Sequence, residues 1–239
     1  MVHLILFDID GTLMLGQGIG ARALKLAFAD VFGVETLENP ALEGVFIAGS
    51  TDPVILRDMA SALKLENGRF ESRRGTLIES YLAHLRRTVA ESTGKRACPG
   101  VVDLLERMRK EPRVLLGLLT GNLEPAARIK LEPFGLNRFF AFGGFGGDGH
   151  DRAAQAAHAL GLAESLAGVA LPARNVLVVG DTENDVLAGR THGFHTAGVG
   201  TGWHPVERLR EAGASAVFET LEPQHGFPAW VRELWGLGA

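Results

Sequence analysis

"LILFDIDGTL", residues 4–13, sets an apolar run against two carboxylates. Leu4 to Phe7 read as a buried strand, yet the run ends on Asp8 and Asp10, with Gly11 and Thr12 directly behind. A strand that delivers acids to its own tip implies a working surface there. Similar short runs recur at 2–7 (VHLILF), 113–119 (RVLLGLL), 175–179 (NVLVV), 194–199 (FHTAGV) and, more weakly, 215–219 (SAVFE). Near-continuous apolar runs of this length fit parallel strands buried on both faces. Helical patterns at 100–110, 122–134, 152–160 and 182–192 lie between them. The alternation predicts an α/β fold, a Rossmann-like parallel sheet flanked by helices.

Residues 16–92 break that rhythm. ARALKLAFADVF, DPVILRDMASALKL and TLIESYLAHLRRTVAES repeat apolar residues at three and four, and no strand is expected among them. The stretch reads as an all-helical insertion, residues 16–93, in a core formed by 1–15 and 94–239. Gly94 and Pro99-Gly100 mark the return hinge.

With 239 residues, 46% apolar content and a net charge of -4, the chain can bury one large core or two smaller ones. A pI near 6 and interleaved charges supply no basic stripe for nucleic acid. No segment approaches the roughly 18 continuous apolar residues of a membrane helix, and the N-terminal run is cut by Asp8 too early for a secretory signal. Cys98 is the only cysteine, which excludes an intrachain disulfide. A cytoplasmic setting is expected, with no nucleic-acid or membrane partner.

Ligands of open α/β sheets bind beyond the carboxyl ends of the strands. Three strand ends carry suitable groups: Asp8 and Asp10, then Thr120-Gly121-Asn122, then GDTEND at 180–185. Asp181 at a strand tip and Asp185 in the next helical turn can face the same way. Such acids repel by about 4 kcal/mol per pair at 4 Å and an effective dielectric near 20. Raised pKa values would relieve the repulsion, and so would a hard divalent cation such as Mg²⁺, which an all-oxygen set suits and which is the favoured reading. A carboxylate is also a ready nucleophile. Thr120 and the Gly121 amide can hold a phosphate at a helix start.

These residues resemble the haloacid dehalogenase superfamily, in its phosphatase branch, through D-x-D-G-T at 8–12, the threonine of LLTGN at 118–122, a basic residue at 152 and G-D-x-x-x-D at 180–185. The closing stretch from Val199 is similar to that of phosphoglycolate phosphatase-like members. The resemblance implies that the helical insertion is a cap. It makes Asp8 the nucleophile, Asp10 the general acid–base, and Thr120, Gly121 and Arg152 the phosphate binders. It assigns Mg²⁺ to Asp8, the Asp10 backbone carbonyl and Asp181, with Asp185 orienting a coordinated water or the cationic side chain. The implied activity is hydrolysis of a small phosphorylated metabolite, phosphoglycolate-like or a sugar phosphate, by a monomer or homodimer.

Competing readings attach to several of these positions. A phosphomutase or dehalogenase shares the fold, and a phosphate-binding module without turnover belongs to another class. Lys130 and Arg128 compete with Arg152 for the phosphate, and Glu183 adds a negative charge of unknown effect. Thr120, Asp181 and Asp185 can serve as helix caps. GFGGDG (144–149) satisfies G-x-G-x-x-G but follows the wrong strand for a dinucleotide, and reads as a turn beside the site. In AGSTDP (48–53), Thr51 or Asp52 either caps a helix or faces substrate, with Thr51 the candidate contact.

Overall fold

The computed structural model describes residues 1–34, 45, 47–149 and 151–237. The chain opens with β1 (His3–Phe7), buried along its whole length. After β2 (Met14–Leu15) come α1 (Ile19–Phe32), α2 (Asp52–Ala62) and α3 (Asn67–Glu91), and then β3 (Arg96–Ala97). The remainder runs α4 (Val101–Met108), β4 (Val114–Leu119), α5 (Glu124–Leu131), β5 (Gly143–Gly144), α6 (Arg152–Ala167), β6 (Val176–Gly180), α7 (Glu183–Thr191), β7 (His195–Val199), α8 (Val206–Glu211), β8 (Ala216–Phe218) and α9 (Phe227–Trp235).

Six strands form a parallel sheet in the order β5-β4-β1-β6-β7-β8. Successive side chains of a strand point to opposite faces. Accordingly Ile5 and Phe7 join one core cluster, and Leu4 and Leu6 the other. Helices cover both faces, which is why the β1 sequence is apolar without alternation. Register fixes where the acids go. Phe7 pairs with Leu118 on one side and Val179 on the other, so the tips of β4, β1 and β6 end level. The Asp8 amide continues the ladder, donating to the Val179 carbonyl at 2.9 Å.

The expected strands recur within a residue or two of the positions read from sequence. Two features were not expected. Gly143 and Gly144 have no apolar side chain to signal a strand, yet they pair with Leu118 and Leu119. Backbone proximity demands glycine there, since a Cβ on Gly144 would lie 2.1 Å from the Gln155 carbonyl. The second is an antiparallel ribbon at the hinge, in which Met14 pairs with Ala97 and Leu15 with Arg96.

Within the inserted stretch the described residues contain helices and no strand. Helix α3 begins nine residues before the apolar repeat, because its first turns (NGRFESRRG) are polar and mostly exposed. Leu24, Ala27, Phe28 and Val31 of α1 and Leu77, Tyr81 and Leu85 of α3 belong to one buried cluster. Among the described residues, no helix is long and apolar enough to cross a membrane.

Candidate active site

Beyond the level strand tips lies a cavity of about 520 Å³, whose floor includes Asp8, Asp10, Thr120, Gly121, Asn122, Lys130 and Arg152. Two residues apart on a strand would face opposite ways. Here the strand has already ended at Phe7, and the Thr12, Leu13 and Met14 amides all fold back onto the Ile9 carbonyl. Gly11 closes this turn at φ +94°, a conformation that favours glycine. Ile9 goes into the core, and Asp8 and Asp10 both reach the cavity.

Asp181 leaves the tip of β6 fully buried. Its Oδ1 accepts from the Thr12 hydroxyl at 3.1 Å and its Oδ2 from the Trp203 amide at 2.8 Å. A Cβ on Gly11 or Gly202 would lie 2.3 or 1.9 Å from Oδ2, so bare backbone on both sides encloses this carboxylate. Asp185 closes a capping box at the start of α7, its Oδ2 accepting from the Thr182 amide (3.1 Å) and hydroxyl (2.6 Å). Its Oδ1 has no hydrogen bond. Capping and convergence therefore coexist in one side chain.

One carboxylate oxygen each from Asp8, Asp181 and Asp185 lies within 4.8 Å of the others. Arg152, at the start of α6, is the cation beside them, with Nη1 3.4 Å from Asp8 Oδ1 and Nε 3.4 Å from Asp185 Oδ1. One positive charge does not balance three carboxylates. Burial, then the Asp185 charge, pushes Asp8 well above the usual carboxylate range. The same two causes raise Asp181 to about 7. Burial works against the Arg152 charge, but Asp185 and Asp8 outweigh it and hold the guanidinium protonated. An all-oxygen set with surplus negative charge and a buried oxygen that accepts no hydrogen bond fits a hard divalent cation.

The Asp10 carboxylate takes a different partner. Lys130 Nζ of α5 donates to Asp10 Oδ2 and to Asn122 Oδ1, each at 2.6 Å. Asn122 Nδ2 donates to Asp10 Oδ2 and to the Thr120 hydroxyl oxygen, each at 2.8 Å. Burial would raise Asp10, but the Lys130 charge and the Asn122 hydrogen bond prevail and hold it below the ordinary carboxylate value.

Of the three basic candidates, Arg152 stands at Asp8 and Lys130 at Asp10. Arg128 turns outward, bonding Glu124 (3.1 Å) and the Phe140 carbonyl (2.7 Å). Lys130 was weighed from sequence only as a phosphate-binding cation, and its pairing with Asn122 and Asp10 was not foreseen. Its signal was a lysine inside the run Ala126, Ala127, Ile129, Leu131, all of which are buried. Thr120 is not the cap of α5, whose N-cap is Leu123. The Leu123 amide instead donates to Asp52 Oδ2 (2.8 Å), while the Asp52 amide donates to the Gly121 carbonyl (2.7 Å). Burial raises Asp52 to about 6. Thr51 is buried at the N-cap of α2, and the cavity wall is formed by its neighbours Ser50 and Asp52. Glu183 pairs with Arg208 of α8 at 2.5 Å. Within GFGGDG, Gly144 ends β5 and the Gly146 amide donates to the Asn122 carbonyl (2.8 Å), so the turn that follows the strand braces the 120–122 loop.

Comparison with known proteins agrees with this arrangement. The family model described as a haloacid dehalogenase-like hydrolase matches residues 2–193. The chain is 27% identical over 230 residues to a phosphoglycolate phosphatase of Yersinia pestis, covering 94% of each. Its fold is similar to that of CbbY from Rhodobacter sphaeroides, crystallised with phosphate, at 18% identity and TM-score 0.71, over 93% of this chain and 96% of that one. A hydrolase from Pseudomonas syringae is similar at 22% identity and TM-score 0.68, over 96% and 99%. With the family model spanning most of the sequence, from before the first acid to beyond Asp185, the chain belongs to the haloacid dehalogenase-like hydrolases.

Proposed function

We propose that the protein is a Mg²⁺-dependent phosphatase that hydrolyses a small phosphorylated metabolite through an aspartyl phosphate. The observation that carries this is the convergence of Asp8, Asp181 and Asp185 beside a loop bearing Thr120 and Gly121. Asp8 attacks phosphorus, the bond to the ester oxygen breaks, and the departing alkoxide takes a proton from Asp10. Water then attacks the aspartyl phosphate, Asp10 accepts its proton, and inorganic phosphate leaves with Asp8 restored. The Lys130 pair favours the ionised Asp10 that the water-activating half requires.

Arg152, held between Asp8 and Asp185, offsets phosphoryl charge, and the Thr120 hydroxyl and Gly121 amide orient the phosphoryl oxygens. Asp8, Asp181 and Asp185 would hold Mg²⁺, with the Asp10 carbonyl as a further oxygen, and the cation when bound neutralises charge on the transferring group. Residues 16–93 act as a cap that limits substrate size and excludes water.

The test is phosphate release from p-nitrophenyl phosphate with and without Mg²⁺, in the native chain and in Asp8→Asn. Turnover that requires the metal and disappears in the folded variant is expected. Undiminished hydrolysis by Asp8→Asn would remove Asp8 from the reaction.

A further inference from the structure

The cavity described above carries paired charges on its floor and is largely apolar on its walls. Leu15, Ile19, Leu24, Ile47 and Ile55 line it from the hinge and the inserted helices. Trp203 also lines it, and stays 60% exposed although its backbone is fixed on Asp181. From these features we infer that the substrate is a phosphomonoester whose alcohol portion is uncharged and largely apolar, not one carrying a carboxylate beside the ester. The inference rests on the phosphatase reading and narrows it.

Charge is the deciding consideration. A leaving group whose ester oxygen is served by Asp10 shares the cavity with Asp52, a buried acid in the same lining. Among the described residues, the two buried lysine and arginine side chains are committed, Lys130 to Asp10 and Asn122, Arg152 to Asp8 and Asp185. Arg96 of the hinge ribbon also lines the cavity, but it is solvent-exposed and its charge is screened by water. A carboxylate next to the ester would thus sit among like charges. The first-turn residues Gly20 and Ala21 of α1 offer it only the partial charge of a helix end. A branched alkyl group would instead cover Trp203 and the half-buried Ile47 from water.

The experiment compares isobutyl phosphate with 2-phosphoglycolate, two esters of nearly the same shape in which an isopropyl group replaces a carboxylate. With Mg²⁺ present, kcat/KM is expected to be at least tenfold higher for isobutyl phosphate. Trp203→Ala is expected to raise KM for that ester at least threefold with kcat nearly held, and Asp52→Asn to narrow the gap between the two esters at least threefold. Equal use of the two, or preference for 2-phosphoglycolate, would overturn the inference and assign its counter-charge to the α1 amides or Arg96. Failure to hydrolyse either ester would take down the phosphatase reading itself, whereas turnover with the carboxylate preferred removes the substrate class alone.

Discussion

Gly202→Ala probes the convergence of acids without touching an acid. A methyl group at position 202 would start 1.9 Å from Asp181 Oδ2, and 3.0 Å is the closest approach real Cβ atoms make. Either the carboxylate or the Thr201–Trp203 backbone must therefore yield by about 1.1 Å, and the 2.8 Å bond from the Trp203 amide is disturbed in both cases. Metal–ligand distances tolerate about 0.2 Å. The half-saturating Mg²⁺ concentration for phosphate release should rise roughly 10- to 100-fold, as for other lost supports of a metal ligand. Overpacking at a buried site costs about 1–3 kcal/mol. At about 2–4 °C per kcal/mol for a chain of this size, the melting temperature should fall by roughly 2–12 °C. Gly161→Ala is the matched control, because nothing lies within 4 Å of its added Cβ. In mid-α6 that change should add about 0.5–1 kcal/mol and leave the metal requirement alone. Activity titrated with Mg²⁺ and followed by circular dichroism on heating reads both effects. An unchanged Mg²⁺ requirement in folded Gly202→Ala would refute the placement of the cation at Asp181.

Lys130→Met should lower kcat at least tenfold by releasing Asp10 from its 2.6 Å partner, whereas Arg128→Met, which alters an outward-facing pair, should stay within about twofold. Equal effects of the two would remove Lys130 from the site. Asp52 ionises at about 6 against an ordinary 3.8, so its contribution to stability is complete below pH 3.8 and is lost as pH rises through 6. Asp52→Asn should consequently match the parent near pH 4 and exceed it by roughly 3 kcal/mol above pH 7, read as a melting-temperature gap that opens between those limits. A gap that is constant with pH would refute the burial argument.

Much of this site was legible because Asp8, Thr120 and Asp181 each follow directly on an apolar strand. VHLILF, RVLLGLL and NVLVV announce strands by composition, and parallel register then makes neighbouring tips level without further instruction. What escaped depends on partners distant in the chain. Lys130 reaches Asp10 across 120 positions, and Asp52 reaches Leu123 across 71. No periodicity of either segment records those meetings. The β5 glycines escaped for a different reason. Their strand exists because Leu118 and Gln155 leave room only for backbone, a property of the surroundings that Gly-Gly does not encode.

The ribbon of β2 and β3 has a consequence for how such a protein changes over generations. Leu15 and Arg96 share one rung, so the entering and departing strands of the inserted helices are joined before either reaches the sheet. Asp8, Thr120, Arg152 and Asp181 are all supplied from outside the tethered segment. Mutations accumulating in the walls supplied by α1 and by α2 beyond Asp52 can therefore retune what is admitted, one residue at a time, without passing through ancestors whose phosphoryl chemistry was broken.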